Sequence, residues 1–158
     1  MKTQTKTRIH AVDDRQEILV TREFDLPLEL LFKAYEQADL VEQWMGTKVI
    51  TLVNENLGHY RFVTTDPRGT EHGFHGTIHE FSPNQRIIRT FEMENGSFGP
   101  QLEFLNFESL TESTSLLKMH IIYRSVEIRD ETLKLPFSWG INMAHDRLEE
   151  VMSDMMKA

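Results

Sequence analysis

The sequence predicts an α+β domain in which a curved antiparallel sheet of six to seven strands packs on a long C-terminal helix, with two short helices after the first strand. Three observations carry this. Through most of the chain apolar residues recur at every second position, the period of a half-buried strand. Turn-forming groups punctuate those runs at Asp66-Pro67-Arg68-Gly69, Ser82-Pro83-Asn84 and Asn95-Gly96. Beyond Tyr123 the period changes, because Phe137, Ile141, Ala144, Leu148, Val151 and Met155 step by four and three residues along one helix face.

Each element follows in order. Ile18, Val20, Phe24 and Leu26 alternate with more polar residues and mark the first strand. Pro27 presets a helix start, after which Leu28, Leu31, Phe32 and Tyr35 keep helical spacing. Asp39 is expected to cap a second helix running through Trp44, and Gly46 to end it. Six strands should then meander through 48–53, 58–66, 70–81, 85–93, 102–110 and 115–123. Residues 129–135 suggest a short helical turn before the last helix, whose first turn tolerates Pro136. An antiparallel sheet with its helices on one face needs only that face covered, which is an α+β layer solution. No internal repeat or interdomain linker interrupts 16–158, read as one domain after a polar lead-in, 1–15, that is either frayed or a short extra edge segment.

With 158 residues the chain can bury a sizeable core without staples. Cysteine is absent, which removes disulfides, thiolate catalysis and sulfur-ligated metals and makes the cytoplasm the default compartment. No stretch approaches the ~20 apolar residues of a membrane span, and 1–16 lacks the apolar core of a signal peptide. Asn95-Gly96-Ser97 matches a glycosylation acceptor, a triplet common by chance. The net charge of −8 repels phosphate backbones, so nucleic acid is not an expected partner. Phosphate loops, dinucleotide fingerprints, nucleophile elbows and zinc-protease motifs are absent as well, and no cofactor is expected.

Several segments resemble the family of activator-of-heat-shock-ATPase homologue-like proteins. Leu31-Phe32-Lys33-Ala34 with Trp44-Met45-Gly46 resembles its early signature. The run from Asp66 to Glu71, Phe74-His75-Gly76-Thr77-Ile78-His79-Glu80, Pro83 and Arg86-Ile87-Ile88-Arg89-Thr90-Phe91 resemble its central block, and Asp146-Arg147-Leu148 its C-terminal element. The similarity spans about Glu17 to Met152. It implies the helix-grip fold of the START-like (SRPBCC) superfamily, shared with polyketide cyclases and Bet v allergen-like proteins, in which a sheet wraps a cavity beside the last helix. Fold transfers along such a resemblance and function does not. Two departures fall on the last helix: Trp139-Gly140 reverses the family's Gly-Trp order, and His145 stands where relatives carry Leu.

On that fold the aromatic residues Trp44, Tyr60, Phe62, Phe74, Phe91, Phe104 and Tyr123 either fill the core or line a ligand cavity. Ile78, Ile141 and His145 complete the candidate lining. Glu80 shares the parity of Phe74 and Ile78 and is expected to face inward, where Arg89 of the next strand would partner it. His145 lies roughly 80° from the centre of the apolar stripe and is placed to offer an imidazole to the pocket. Trp139 lies about 200° from the stripe, either exposed or tucked under the preceding loop. His72, His75 and His79 invite a metal reading, but His72 and His75 face opposite sides and His75 and His79 stand about 13 Å apart at strand rise. A shared zinc needs nitrogens within about 2 Å of the ion. They read as surface histidines, with no metal site expected.

Three functional readings follow: a binder of a hydrophobic or amphipathic small molecule; a cyclase- or hydratase-like enzyme using Glu80, Arg89 or His145 as acid and base; and, through the resemblance, a chaperone-associated interaction module. A homodimer is compatible with each.

Overall fold

The computed structural model describes residues 6–157. In chain order the elements are β1 (Arg8–His10), β2 (Glu17–Phe24), α1 (Leu28–Glu36), α2 (Ala38–Met45), β3 (Lys48–Leu52), β4 (Gly58–Thr65), β5 (Glu71–Ser82), β6 (Arg86–Met93), β7 (Gln101–Ser109), β8 (Ser115–Ile122), α3 (Val126–Lys134) and α4 (Phe137–Lys157). The strands form one antiparallel sheet in the order β1-β2-β8-β7-β6-β5-β4-β3. This is the helix-grip arrangement, with eight strands rather than six or seven. The extra one is β1: the polar lead-in pairs Arg8 with Thr21 and His10 with Leu19 along the edge of β2.

The short helices differ from expectation at their junction. Gln37, with extended backbone, ends α1 and also starts α2, its carbonyl accepting from the amides of Leu40 and Val41. Asp39 is therefore not a cap; it falls in the first turn, where its carboxylate meets the positive end of the helix. Gly46 ends α2 in the left-handed conformation, φ 63°, where any side chain would be strained. α3 begins earlier than expected because the Ser125 hydroxyl accepts from the Ile128 amide and caps it. Arg129 then fastens α3 to the carbonyls of Val12 and Glu17.

One face of the sheet is concave and buried. Ile18, Val20 and Phe24 of β2, Leu105 and Phe107 of β7, and Leu117, Met119 and Ile121 of β8 pack there against Leu31, Phe32 and Tyr35 of α1 and Leu148 and Met152 of α4. Each such aliphatic or Phe side chain contributes roughly 1.5–3 kcal/mol when taken from water. A smaller cluster of Val41, Tyr60, Phe62, Phe74 and Ile78 lies under the β3–β6 side. Among the described residues no helix is long and apolar enough to cross a membrane.

Candidate ligand site

Strand register assembles a polar centre on the concave face. Ile78 of β5 pairs with Arg89 of β6, Arg89 with Glu103 of β7, Glu103 with Ile121 of β8, and Ile121 with Ile18 of β2. Residues paired directly across antiparallel strands share a face. Arg89 and Glu103 therefore lie in a row of buried isoleucines. Their side chains retain 13% and 6% of their exposure and form an ion pair, Nε to Oε1 at 3.1 Å. Gln101 donates to the other oxygen of Glu103 at 2.8 Å. The Arg89 guanidinium lies 5.1 Å from the Tyr60 ring centroid, a cation–π contact.

Tyr60 reaches this place because Gly76 has no side chain. A Cβ on Gly76 would stand 2.7 Å from the Tyr60 ring and closer still to the Thr90 carbonyl. Across that gap the Tyr60 hydroxyl donates to Thr90 O at 2.6 Å. Burial raises the phenol pKa of Tyr35, Tyr60 and Tyr123; Glu103 adds to the rise in all three, while Arg89 opposes it in the first two. All three stay neutral hydroxyls across the physiological range. Burial opposes the Arg89 charge, but the acidic groups around it, Glu103 among them, more than offset it and hold its pKa above the ordinary value.

Two donor groups here are not fully used. The hydrogen bonding of Arg89 among the described residues runs through Nε alone, leaving Nη1 and Nη2 without a protein partner. The Tyr123 hydroxyl is sealed from solvent and unpartnered. Only one other buried side-chain atom among the described residues shares that condition, Arg22 Nε; the Arg89 nitrogens are not sealed off in this way.

The structure distributes the expected lining residues unevenly. Tyr60, Phe62, Phe74 and Phe91 form a continuous aromatic series with successive centroids 5.0, 5.5 and 5.0 Å apart, and Ile78 joins them. Tyr123 is buried near Glu103, and Ile141 is half-buried on α4. Trp44 is core: it packs on Tyr35 and donates to the Ala34 carbonyl at 2.8 Å.

Three placements correct the sequence reading. A β-bulge between Ile78 and Glu80 inserts His79, so that Phe81 regains the concave parity opposite Ile87 and Glu80 turns to the outer face. Glu80 there accepts from Ser82 and lies 3.6 Å from Arg86, so the expected Glu80–Arg89 pair does not form. Phe104 is also outside, in register with Ile88 and His120, and lines a shallow cleft with Asn106 and Ile122. Its stretch carries apolar residues on both parities, which left the inward set ambiguous. His145 belongs to a different cluster.

That cluster binds α4 to the sheet's edge. Arg22, fully buried on β2, donates to Asp146 at 2.7 Å and to the Thr7 hydroxyl at 3.2 Å, and its Nη2 lies 3.4 Å from Glu149. Thr7 Oγ1 lies 2.9 Å from His145 Nδ1. While accepting from Arg22, the hydroxyl can give its own proton to Nδ1 of a neutral imidazole. Burial, and then the Arg22 charge, lower the His145 pKa to about 3 against a small opposing pull from Asp146. Phe24 meets the ring edge-on at 5.5 Å.

Trp139 is 68% exposed on α4. His72 hydrogen-bonds Asp66 and His75 hydrogen-bonds Glu94, separate carboxylates on half-exposed surfaces. Arg61 in two contacts, and then His75, hold Glu94 down to about 2.

Glu103, Gln101, Tyr35, Arg22 and Thr7 are the participants that sequence reasoning missed. For two of them a signal was present: Arg22 stands between Val20 and Phe24, and Glu103 before Leu105 and Phe107, each a charge on an apolar parity.

An antiparallel sheet gripping its C-terminal helix defines a START-like protein. The sequence model of the family described as activator of Hsp90 ATPase homolog 1-like protein matches residues 25–153. The chain belongs to that family. No curated protein matches the sequence. Among solved structures, a protein from Rhodobacter sphaeroides superposes with a TM-score of 0.83 at 21% identity, over 94% of this chain and 99% of that one. A protein from Mycobacterium smegmatis gives 0.83 at 15% identity over 94% and 98%. One from Arthrobacter aurescens gives 0.84 at 15% over 93% and 91%. These likenesses establish the shared fold.

Proposed function

We propose that this protein binds a hydrophobic or amphipathic small molecule between the concave face of the sheet and α4. The Arg89–Glu103 pair carries the reading. Replacing a buried ion pair by packed apolar side chains is often neutral or stabilising, so stability alone gives no reason for charge in a row of isoleucines. Recognition of a ligand's polar group does. The ligand's apolar body would lie along Phe74, Phe91 and Ile141, of which the last two are only half-buried. A mostly apolar surface with a few placed polar groups is the usual make-up of a small-molecule site.

The binding reading has more support than acid–base catalysis. Of the three groups nominated for proton transfer, Glu80 faces outward and His145 is engaged with Thr7. Arg89 remains, and its role in binding needs no proton transfer. The lack of cysteine supports a cytoplasmic setting.

Titration with the neutral fluorophore Nile red tests the proposal. We expect saturable binding with one site per chain, weakened about tenfold in Ile141→Trp, which would enlarge the half-buried side chain on the α4 side of the proposed site. Non-saturable fluorescence, or identical binding by the variant with its fold intact, would count against a site in this location.

A further inference from the structure

The charge state of the polar centre bears on what kind of ligand it accepts. Arg89 spends one guanidinium edge on Glu103, and the two form a neutral unit in the sheet interior. Gln101 occupies the second oxygen of Glu103, so the carboxylate is held on both sides and is not free to turn away. What the unit still offers is donor capacity, the hydrogens on Nη1 and Nη2. The phenols nearby are kept neutral by burial and supply no compensating charge.

A ligand oxygen that accepts from Arg89 Nη1 or Nη2 without bringing charge completes the hydrogen bonding of the guanidinium and leaves the unit neutral. A carboxylate or phosphate in the same place would put a second anion beside Glu103, uncompensated in a low-dielectric setting, where unpaired charge is strongly disfavoured. Were Glu103 absent, the same guanidinium would be a lone buried cation and would favour the anion, to which it could bond bidentately. We propose that Glu103 sets this site to select uncharged ligands, with Arg89 donating to a neutral carbonyl or hydroxyl oxygen on an otherwise apolar molecule. This inference rests on the ligand-binding reading above.

Displacement of Nile red by 2-decanone, 1-decanol and decanoate at about pH 8 tests it, with wild type, Glu103→Gln and Arg89→Met. For wild type the ketone or alcohol should displace the dye at a concentration about tenfold or more below that of decanoate. Glu103→Gln should shift this ratio at least tenfold towards decanoate, and Arg89→Met should abolish both the preference and its dependence on Glu103. A wild-type preference for decanoate overturns the inference, as does an unchanged ratio in folded Glu103→Gln, while the binding reading survives either result. If Glu103→Gln does not fold, the wild-type ratio decides alone. If Nile red itself finds no saturable site, the reading and the inference both fall.

Discussion

Arg22 and Arg89 project from the same face of one sheet, each at a strand position where the alternation calls for an apolar residue, yet their surroundings differ in kind. Arg22 is bonded to Thr7 and Asp146 and lies in ion-pair range of Glu149, partners drawn from the N-terminal segment and α4. Arg89 is bonded to one residue on the adjacent strand and keeps two nitrogens uncommitted. The first joins distant parts of the chain, and removing it undoes a tertiary connection. The second joins neighbours that the sheet already holds together. A buried arginine whose two Nη groups are spent on distant parts of the chain is a brace; one whose two Nη groups are both spare is available to something outside the protein.

Mutation should separate the two. Arg22→Met leaves Asp146 and Glu149 without their shared cation, although Asp146 is half-exposed and can rehydrate. The expected loss is about 3 kcal/mol, at the lower end for a broken buried pair, read from urea unfolding, with Nile red affinity unchanged. An unaltered midpoint would dissolve the contrast.

Acid should also act on the brace and not on the site. An ordinary histidine titrates near 6.5, and His145 in the fold titrates at about 3. Between those values the unfolded chain binds a proton that the folded chain refuses, so stability is full above pH 6.5 and falls as pH descends towards 3. From pH 6.5 to 4.5 the His145 share of that loss should be about 2 kcal/mol. His145→Gln should lack it, which unfolding curves at the two pH values would reveal. Parallel pH dependences in wild type and variant would mean that the imidazole is not held neutral.

The Arg89→Met/Glu103→Leu double variant should behave oppositely to Arg22→Met. Removing both charges leaves no orphan, so stability should hold or rise by about 1 kcal/mol while affinity for a neutral oxygenated ligand drops about tenfold, or about 1.4 kcal/mol. A destabilised double variant would make the pair a second brace. The smallest effect belongs to Tyr123→Phe. It deletes a sealed hydroxyl that has no partner, and the ligand-free protein should gain about 0.5 kcal/mol in thermal or chemical unfolding.

Much of the fold was legible because its signals are local and redundant. The period of two through 58–66 and 115–123, the turn at Asp66-Pro67-Arg68-Gly69 and the four-three spacing of Leu148, Val151 and Met155 each point to an element without help from the others. Legibility ended where one residue changes the phase of everything after it. Nothing in Ile78-His79-Glu80 announces a bulge, and counting straight through it sends Glu80 inward and Phe81 out, the reverse of what is found. The site was harder still. Arg89 was identified, but its partner was sought on the preceding strand, whereas cross-strand register gives it Glu103 on the following one. Register between strands is a property of the assembled sheet. Charges at apolar parities, Arg22 and Glu103, were the cue that sequence did hold.

The arrangement of the sheet also bears on how the protein is made. β2 finds its inner neighbour only in β8, almost a hundred residues further along, and α4 follows every strand. On the ribosome the concave face, with its ion pair and its aromatic series, has only α1 and α2 to cover it until α4 emerges and Thr7 and Arg22 can take hold of that last helix. Such long-range closure slows folding and lengthens the exposure of apolar surface. In the living cell, translation rate through the last helix and the availability of a chaperone during that interval should govern the yield of this protein more than its final stability does.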